Sequence, residues 1–467
     1  MERAVVWFRQ DLRLADNPAL DAAREAERII PIYIYDENMF TGSAHKVWLH
    51  HSLKSLQANL QEKGSRLIIR SGDSAAVLRG FIEEVNADVV FWNRVYEPEA
   101  IERDKDLKAD FKDAGLHVKS FKGSLLFEPW EVETKSGGPY KVFTPFWKNC
   151  LSQDREYTAC PEPRELPAVA TQYASENIEE LQLLPDIPWH KGIEAFWEMG
   201  ETAAQKKLDT FLSDQVDDYK DRRNTPAVYG TSLLSPHLHF GEISPKQVWL
   251  AAQKQSATEG RRVYLSEIGW REFAYHILYH FPETAEKPMD KRFENFPWDN
   301  DQKALKAWQK GQTGYPIVDA GMRQLWETGW MHNRVRMIVA SFLTKDLLLP
   351  WQEGAAWFWD TLVDGDLASN SMGWQWAAGS GADAAPFFRI FNPISQGERF
   401  DKDGRYVRRW VPEIAQLPNK YLHKPWEAPP LVLMEADVEL GKTYPEPLVD
   451  HKEARKAALE AFDTIKK

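Results

Sequence analysis

The sequence has few of the features that mark secreted or membrane-spanning proteins. It has two cysteines in 467 residues, Cys150 and Cys160, too few for a disulfide framework or a cysteine zinc cluster. Its apolar runs are short: Met337–Leu343 lies between Arg336 and Lys345, far below the roughly 20 residues that a membrane span needs. The first residues lack the apolar core of a secretory signal. We therefore expect a cytoplasmic protein that makes no contact with a membrane.

The sequence also lacks a surplus of basic residues and the common nucleotide-binding signatures. Acidic residues outnumber basic ones, 70 against 58, which disfavours general attraction to nucleic acid and leaves room for a local basic face. Arg9–Arg13 follows the first predicted strand and contains no glycine that would let a pyrophosphate approach the backbone. No G-x-x-x-x-G-K-[ST] occurs anywhere. These absences exclude an ordinary NAD or ATP site.

The first 125 residues alternate between two kinds of segment. Short β-branched or aromatic runs predict five strands at Ala4–Phe8, Ile29–Tyr35, Arg66–Ile69, Val89–Trp92 and Val118–Phe121. Helical stretches lie between them at Pro18–Glu27, Ala44–Glu62, Ser74–Val85 and Pro98–Asp113. This alternation predicts an α/β N-terminal domain over residues 1–125, with a doubly wound, parallel five-stranded sheet.

The rest of the chain divides into a connector and a helical region. Residues 126–195 are rich in proline and show no regular periodicity, which predicts a long interdomain connector. Residues 196–467 predict an all-α C-terminal domain, with helices at Thr202–Leu212, Pro245–Ala252, Tyr264–Tyr279, Gln302–Gln309, Val318–Thr328, His332–Leu349, Ala355–Val363 and in the tail Asp450–Lys467.

Tryptophan is unusually frequent, and polar side chains cluster near many of the indoles. The chain has 20 Trp, half of them between Trp270 and Trp376, which suits either a large aromatic core or a cofactor- or base-stacking site. Glu267, Trp270 and Arg271 share one face of a predicted helix, because residues three and four apart are neighbours. The face is either a binding wall or a half-buried amphipathic surface.

The same two interpretations apply to a second predicted helix, where Asn333 and Met337 lie four residues apart and Arg334 lies beside them. Trp374 and Trp376 are two apart, so on a helix their indoles face different environments. Asp364 and Asp366 precede them and can accept hydrogen bonds from a ligand. No histidine or further carboxylate stands near the two aspartates, so we expect no metal site.

Two further segments contain residue types that are typical of phosphate-binding sites. Gly230–Pro236 places three hydroxyls before a predicted helix, as a phosphate site or as a capped turn. Arginines concentrate late in the chain, either as a solvated surface or, with Arg271 and Arg334, as a basic face for a phosphate backbone. These late arginines are Arg389, Arg399, Arg405, Arg408 and Arg409.

Six segments, in order along the chain, closely resemble the DNA photolyase/cryptochrome family, and most closely its bacterial cyclobutane pyrimidine dimer photolyases. They are Trp7–Pro18, Trp270–Phe273, Thr313–Ala320, Thr328–Arg334, Asp364–Trp376 and Phe388–Pro393. The resemblance implies an all-α C-terminal domain that binds FAD. It assigns FAD contacts to Tyr219, Thr231, Ser232, Leu233, Leu234, Ser235, Arg336, Asp364, Gly365, Asp366 and Asn370. Asn370 falls where the family places the side chain that faces the reactive central ring of the flavin.

The resemblance also implies an electron relay and a DNA-binding pocket. Trp374, Trp351 and Trp298 match the family's chain of indoles from the flavin to the surface. Trp270 and Trp376 match the aromatic walls around the damaged bases, with Glu267, Asn333 and Met337 in the pocket. The implied contacts with the DNA strand are Arg271, Arg334, Arg389 and Gln396.

The implied activity is light-driven repair of cyclobutane pyrimidine dimers, that is, a deoxyribodipyrimidine photo-lyase (a carbon–carbon lyase) acting as a monomer on UV-damaged DNA. The dimer would be flipped out of the duplex, and excited reduced FAD would donate an electron to it. Two alternatives stay open: a cryptochrome-like blue-light signalling flavoprotein and a helical DNA-binding protein with an aromatic core. For the antenna, three alternatives stay open: methenyltetrahydrofolate, which is favoured, a deazaflavin, and no second chromophore. However, the family's folate-holding Asn-Glu pair aligns with Glu99 and Ala100 here.

Overall fold

The chain forms two compact units in a computed structural model that describes residues 2–39, 42–153, 155–170 and 172–466. The first unit comprises Met1–Asp217, Ser232–Pro282 and Val363–Asp366, and the second comprises Asp218–Thr231, Glu283–Leu362 and Leu367–Lys467. Each unit is thus built from segments that are separate in sequence. The predicted boundaries at 125/126 and 195/196 stay a prediction.

A single five-stranded sheet organises the first unit. Its strands are β1 (Arg3–Phe8), β2 (Arg28–Tyr35), β3 (Ile68–Ser71), β4 (Val89–Asn93) and β5 (His117–Phe121). All pairs are parallel in the order β3-β2-β1-β4-β5, with Ala4 opposite Ile29 on one side and Val89 on the other. The doubly wound parallel sheet is therefore confirmed. The third strand begins two residues later than predicted, because its pairing with β2 begins at Ile68, opposite Ile32.

Helices make up most of the remaining structure. In chain order they are α1 (Pro18–Ala23), α2 (Ser43–Glu62), α3 (Ser74–Val85), α4 (Pro98–Asp113), α5 (Phe143–Ser152), α6 (Lys191–Phe196), α7 (Glu201–Asp214), α8 (Tyr219–Arg222), α9 (Ser235–His239), α10 (Pro245–Gln253), α11 (Glu259–His280), α12 (Gln302–Gln309), α13 (Pro316–Thr328), α14 (Asn333–Ser341), α15 (Trp351–Thr361), α16 (Leu367–Ala378), α17 (Pro393–Phe400), α18 (Arg405–Trp410), α19 (Asn419–Leu422), α20 (Pro430–Glu435) and α21 (His451–Thr464). No helix in the described part of the chain is long and apolar enough to cross a membrane. The second unit, α8 and α12–α21, contains no strand within its described residues, which confirms the helical C-terminal domain.

The predicted connector contains a helix that the sequence interpretation missed. Helix α5 buries Phe143, Phe146, Trp147 and Cys150, which are spaced as one helical face. Pro145 disguised this periodicity, but proline is tolerated in the first turn, where the amide has no partner within the helix. The helix packs on α11 of the same unit. Part of the connector is therefore core structure.

Buried charge fills the place where a doubly wound sheet commonly binds a dinucleotide. Arg13, in the loop after β1, is fully buried and donates to the carbonyl oxygens of Asp16, Gly123 and Gly241. Asp11 accepts a 2.6 Å hydrogen bond from the side chain of Asn93 at the end of β4. These interactions explain physically why the region lacks a glycine-rich loop: the loop is packed by its own side chains.

The helix predicted over His332–Leu349 changes its winding midway. Helix α14 ends at Ser341, and a π-helical turn follows over Phe342–Asp346. All five residues of this turn are buried. The turn leads into a core that also holds Trp308, Trp351 and Trp374.

Candidate functional site

Helix α11 presents the predicted wall in the first unit. Glu267, Trp270 and Arg271 are half-buried on one face, whereas Ile268 and Phe273 are buried. Trp270 stacks on Phe143 of α5, with ring centroids 3.8 Å apart and planes at 10°. Helix α5 therefore fixes the orientation of this indole, a role that sequence reasoning had not given to the connector.

Arg271 is more enclosed than its predicted contact with DNA suggests. Its guanidinium donates to the carbonyl oxygen of Ser124 at 2.7 Å and lies 4.9 Å from the ring centroid of Tyr275. About 11% of the side chain is exposed. Arg271 thus has a structural contact, and its role as a DNA contact stays a prediction.

Glu272, next to Arg271 on α11, binds the backbone of the segment that follows β5. Its carboxylate accepts hydrogen bonds from the amides of Leu126 and Phe127 at 2.9 and 3.0 Å. Burial raises the pKa of Glu272 to about 7, against the opposing effects of Arg271 and the two amides. Glu272 had no assigned role in the sequence interpretation, because its fixed contacts lie about 145 residues away.

Histidines of α11 hold the connector as well. His276 accepts a hydrogen bond from the amide of Tyr140, and its other nitrogen contacts the carbonyl oxygen of Pro129. His280 contacts the same carbonyl oxygen at 3.1 Å. Burial lowers the pKa of His276 to about 4. These rings serve packing, and within the described ranges no three His, Cys, Asp or Glu side chains lie close enough to hold a metal ion.

The predicted FAD contacts are distributed over both units. In the first unit, Leu234 is buried, and Leu233 has a φ of 54°, so the turn before α9 enters the left-handed region. Asp364 and Asp366 are both 7% exposed, and the amide of Asp366 donates to the carbonyl oxygen of Asp364 at 2.9 Å. Ser232, which is partly buried, belongs to the first unit. Thr231, also partly buried, is the last residue of a segment of the second unit.

In the second unit, Tyr219 is buried at the start of α8 and Arg336 is half-buried on α14. Arg336 donates through Nε to the carbonyl oxygen of Met331 at 2.7 Å, which fixes the direction of its guanidinium.

One side of α16 is accessible. The Asn370 amide nitrogen donates to the carbonyl oxygen of Ala355 at 3.0 Å, which fixes the side chain and directs its oxygen away from that bond. At Gly373, three residues on, an added Cβ would meet no atom within 4 Å. Trp376 is half-buried further along the helix. An acceptor, an exposed glycine and a half-buried indole therefore follow one another along this side of α16.

Trp374 points to the other side of the same helix. It is 2% exposed and packs edge-on against Phe358 and Trp308 at 4.9 and 6.0 Å between centroids. Its Nε1 is buried and has no hydrogen-bond partner among the described residues. The different surroundings of Trp374 and Trp376 are confirmed. Gln375 between them is structural: its side chain bonds to backbone groups of Thr284, Lys287 and Met289.

The three indoles of the predicted relay share one core. Trp351 and Trp374 are buried in it, and Trp298 packs against it while remaining half-buried. Trp298 also lies 4.3 Å from the ring of Phe296. The gradient from buried to partly exposed suits a chain that ends at the surface.

Exposed polar groups gather at the start of α14. Asn333 is exposed, and Arg334 and Met337 are half-buried beside it. The Arg334 guanidinium donates to the side-chain oxygen of Asn224 at 2.7 Å and lies over the ring of Phe400 at 4.5 Å. Sequence reasoning missed Asn224 and Phe400, because they lie more than 60 residues from Arg334 and carry no charge.

The late arginines do not act alike. Arg389 is exposed in the loop before α17, and Gln396 is half-buried on that helix. Arg399 contacts the ring of Phe400, close to the Arg334 group. Arg408 instead donates to the carbonyl oxygens of Asp403, Ala415 and Leu417. Arg408 is therefore a structural residue and not part of a free basic face.

Known proteins resemble this chain over its whole length. A family profile described as DNA photolyase matches residues 4–168, and one described as FAD binding domain of DNA photolyase matches residues 264–464. A deoxyribodipyrimidine photo-lyase of Agrobacterium fabrum is 53% identical over 99% of this chain and 98% of the relative. Cryptochrome-2 of Arabidopsis thaliana is 40% identical over 99% of this chain and 79% of its own length. The crystal structure of a bacterial class III photolyase from Agrobacterium tumefaciens superposes with a TM-score of 0.97 at 52% identity, covering 100% of this chain and 98% of that one.

Proposed function

Because the chain belongs to the DNA photolyase/cryptochrome family, we propose that it is a deoxyribodipyrimidine photo-lyase, which uses light to split cyclobutane pyrimidine dimers in UV-damaged DNA. The observation that carries this proposal is the accessible side of α16, where Asn370, with its amide held by Ala355, precedes the exposed Gly373 and the half-buried Trp376. The photo-lyase relative at 53% identity supports the same conclusion. In this proposal the enzyme works as a monomer in the cytoplasm.

The residues present fit FAD. Asn370 offers an amide oxygen, the carboxylates of Asp364 and Asp366 can accept hydrogen bonds, and the guanidinium of Arg336 can donate them. Hydroxyls at Thr231, Ser232 and Ser235 and the side chain of Tyr219 complete the proposed set, with the backbone of Leu233, Leu234 and Gly365. When bound in its reduced form, FAD supplies the light-excited electron that the ring opening needs.

The side chains around the flipped-out dimer position it and shape its electrostatics. Trp270, held flat by Phe143, and Trp376 provide aromatic faces on which unstacked bases can rest. Met337 provides an apolar contact and Asn333 an amide. Glu267, in its protonated form or through a water molecule, donates a hydrogen bond to a base carbonyl and stabilises the charge that develops on the dimer. Arg334 and Arg389, with Arg271 and Gln396, contact the DNA strand on either side of the lesion.

The buried indoles Trp374 and Trp351, with Trp298 near the surface, pass electrons inward from solvent reductants and so restore the reduced resting state. Each indole can be oxidised in turn, and the packing around Trp374 keeps it dry. The relay therefore serves activation and not the repair step itself.

The test is repair of one thymine dimer in a short oligonucleotide under blue light after photoreduction, with a dark control and with the Trp376→Ala variant. We expect the thymines to be restored only in light, and the variant to bind the lesion more weakly. A protein that holds reducible FAD and leaves the dimer intact would contradict the proposal. Light-dependent binding of a protein partner would then favour the cryptochrome-like alternative.

We further propose that methenyltetrahydrofolate is the antenna and that it occupies a cavity in the first unit. Ala100 is fully buried, so it cannot take the place of the family's ligand-holding pair. The next face of α4 lines a cavity of about 500 Å³ together with Trp130 and Tyr279. Lys105, Lys108 and Lys112 stand three and four residues apart on that face.

The chemistry of this cavity suits a folate. A pterin can stack on the Trp130 ring, which is 44% exposed and lies 5.4 Å from Tyr279, and the lysines can pair with a carboxylate tail. Titration of the protein with methenyltetrahydrofolate should show flavin emission excited through the folate, and Trp130→Ala should abolish it. Trp326→Ala is the matched control, because that indole is 52% exposed and lies in the second unit. Equal energy transfer from the folate to the flavin in the wild type, Trp130→Ala and Trp326→Ala would refute this location of the antenna.

A further inference from the structure

A buried lysine lies behind the loop that carries Arg389. Lys345 belongs to the π-helical turn after α14, and its side chain is 1% exposed. Its ammonium group donates a 3.0 Å hydrogen bond to the carbonyl oxygen of Arg389 and lies 5.2 Å from the ring centroid of Phe387. The sequence analysis used Lys345 only as the end of an apolar run and gave it no role, whereas an amine inside a core needs a specific partner.

Within the loop, Phe387 is anchored in an aromatic cluster, where its ring stacks on that of Phe462 with centroids 4.5 Å apart. Phe387 is buried, whereas Pro386, Phe388 and Arg389 are exposed, and the Phe388 ring is 65% exposed. Within the loop, the amide of Arg389 donates to the carbonyl oxygen of Pro386 at 2.8 Å. The position of the exposed Phe388 and Arg389 therefore depends both on this packing of Phe387 and on hydrogen bonds to the loop backbone.

That segment contributes a second contact. Ser341, the last residue of α14, accepts a 3.2 Å hydrogen bond from the amide of Phe391. Lys345 and Ser341 thus bond to the backbone on both sides of Ile390. Residues four apart on a helical segment face the same side, so Ser341 and Lys345 reach the same loop, and π-helical turns are frequent at functional sites.

We infer that Lys345 is a positioning residue for lesion binding: its hydrogen bond to the Arg389 carbonyl fixes the loop that presents Arg389 and Phe388 to DNA. The inference rests on the proposed function. Lys345 does not touch the DNA, the flavin or the dimer in this role. Burial lowers the pKa of Lys345 to about 7, so the amine is charged in only part of the molecules at neutral pH, and both forms can donate to the Arg389 carbonyl oxygen.

The test is Lys345→Met, which keeps the length of the side chain and removes the ammonium. Losing a buried hydrogen bond that orders a binding loop should raise the Kd for dimer-containing DNA and the KM of repair about tenfold. The kcat at saturating DNA and the bound flavin should stay within about twofold of the wild type. Thr344→Val is the matched control, since its hydroxyl donates to the carbonyl oxygen of Ala340 and touches no part of the loop.

A second readout needs neither light nor DNA. Trypsin should cut after Arg389 faster in Lys345→Met than in Thr344→Val, because the freed loop adapts more readily to a protease. Should Lys345→Met fail to fold, Ser341→Ala tests the same anchorage from its other contact. Unchanged Kd and unchanged cleavage would overturn the inference, as would a fall in kcat at constant KM. A wild-type protein that neither binds nor repairs dimers would contradict the proposed function, while the cleavage rate would still test the anchorage.

Discussion

The position of Trp374 depends on a glycine in the neighbouring helix. Gly354 lies on α15, and a Cβ added there would sit 2.1, 2.3 and 2.6 Å from three carbons of the Trp374 ring. Ordinary contacts are about 3.5–4.0 Å, so a Gly354→Ala variant must move the indole by more than about 1 Å. Phe358 and Trp308 pack on that ring, so it cannot move without displacing them.

The energetic cost follows from this crowding. Overpacking of a dense core costs about 1–3 kcal/mol, and the better helix propensity of alanine returns at most about 1 kcal/mol. We expect Gly354→Ala to lower the free energy of unfolding by about 1–2 kcal/mol. Gly80→Ala on α3 is the control: the added Cβ meets no atom within 4 Å, so this variant should be slightly stabilised.

Electron transfer through the indoles and repair of the dimer can be measured in separate assays. Light-driven reduction of the oxidised flavin should slow in Gly354→Ala, because Trp374 is displaced from its place in the relay. Repair by enzyme that was reduced chemically beforehand should be retained. If Gly354→Ala is as stable as Gly80→Ala and is photoreduced at the wild-type rate, the packing of α15 does not position the indole and the reasoning fails.

Four further predictions address single residues. The pKa of Glu272 is raised from 4.5 to about 7 in the folded state. The folded state therefore keeps this proton to a higher pH than the unfolded state does, so the free energy of unfolding falls as pH rises from about 4.5 to 7. Glu272→Gln should remove about 3 kcal/mol of that fall, measured by urea unfolding at pH 5 and at pH 8. Trp351→Phe should abolish photoreduction and leave repair by pre-reduced enzyme intact, and loss of both would contradict the relay. Glu267→Gln should lower the yield of repair per absorbed photon at unchanged DNA affinity, and an equal yield would refute its electrostatic role. Arg334→Ala should weaken binding to all DNA sequences and reduce the salt slope of the affinity by about one, as expected for a phosphate contact.

The sequence predicted the regular elements well where local signals are strong. The strands of the sheet are nearly continuous β-branched and aromatic runs, because a parallel sheet is buried on both faces. The bounds of α3 and α12 match the prediction to the residue. In both helices an aspartate marks the start: Asp73 accepts from the amide of Ala76 at 2.8 Å, and Asp301 caps α12 in the same way.

Other elements were hidden by conflicting signals. Helix α5 was not predicted because its segment is rich in proline, although Pro145 occupies a first-turn position where a helix tolerates proline. The π-helical turn was missed because Thr344, Lys345 and Asp346 are polar yet buried, so the pattern of residue types does not follow the change in winding. Arg408 was grouped with free cations, since a sequence cannot show that its guanidinium is bound by three carbonyl oxygens.

The candidate site could be predicted only in part, because its residues act in pairs that are remote in sequence. The face of α16 follows from helical spacing, but the bond from Asn370 to Ala355 that orients its amide does not. The contact of Lys345 with Arg389 spans 44 residues and joins a buried cation to a backbone carbonyl, which any residue carries. Side chains that contact a ligand leave a pattern of residue types. Side chains that hold others in place through backbone groups leave none, so they emerge only once the chain is folded.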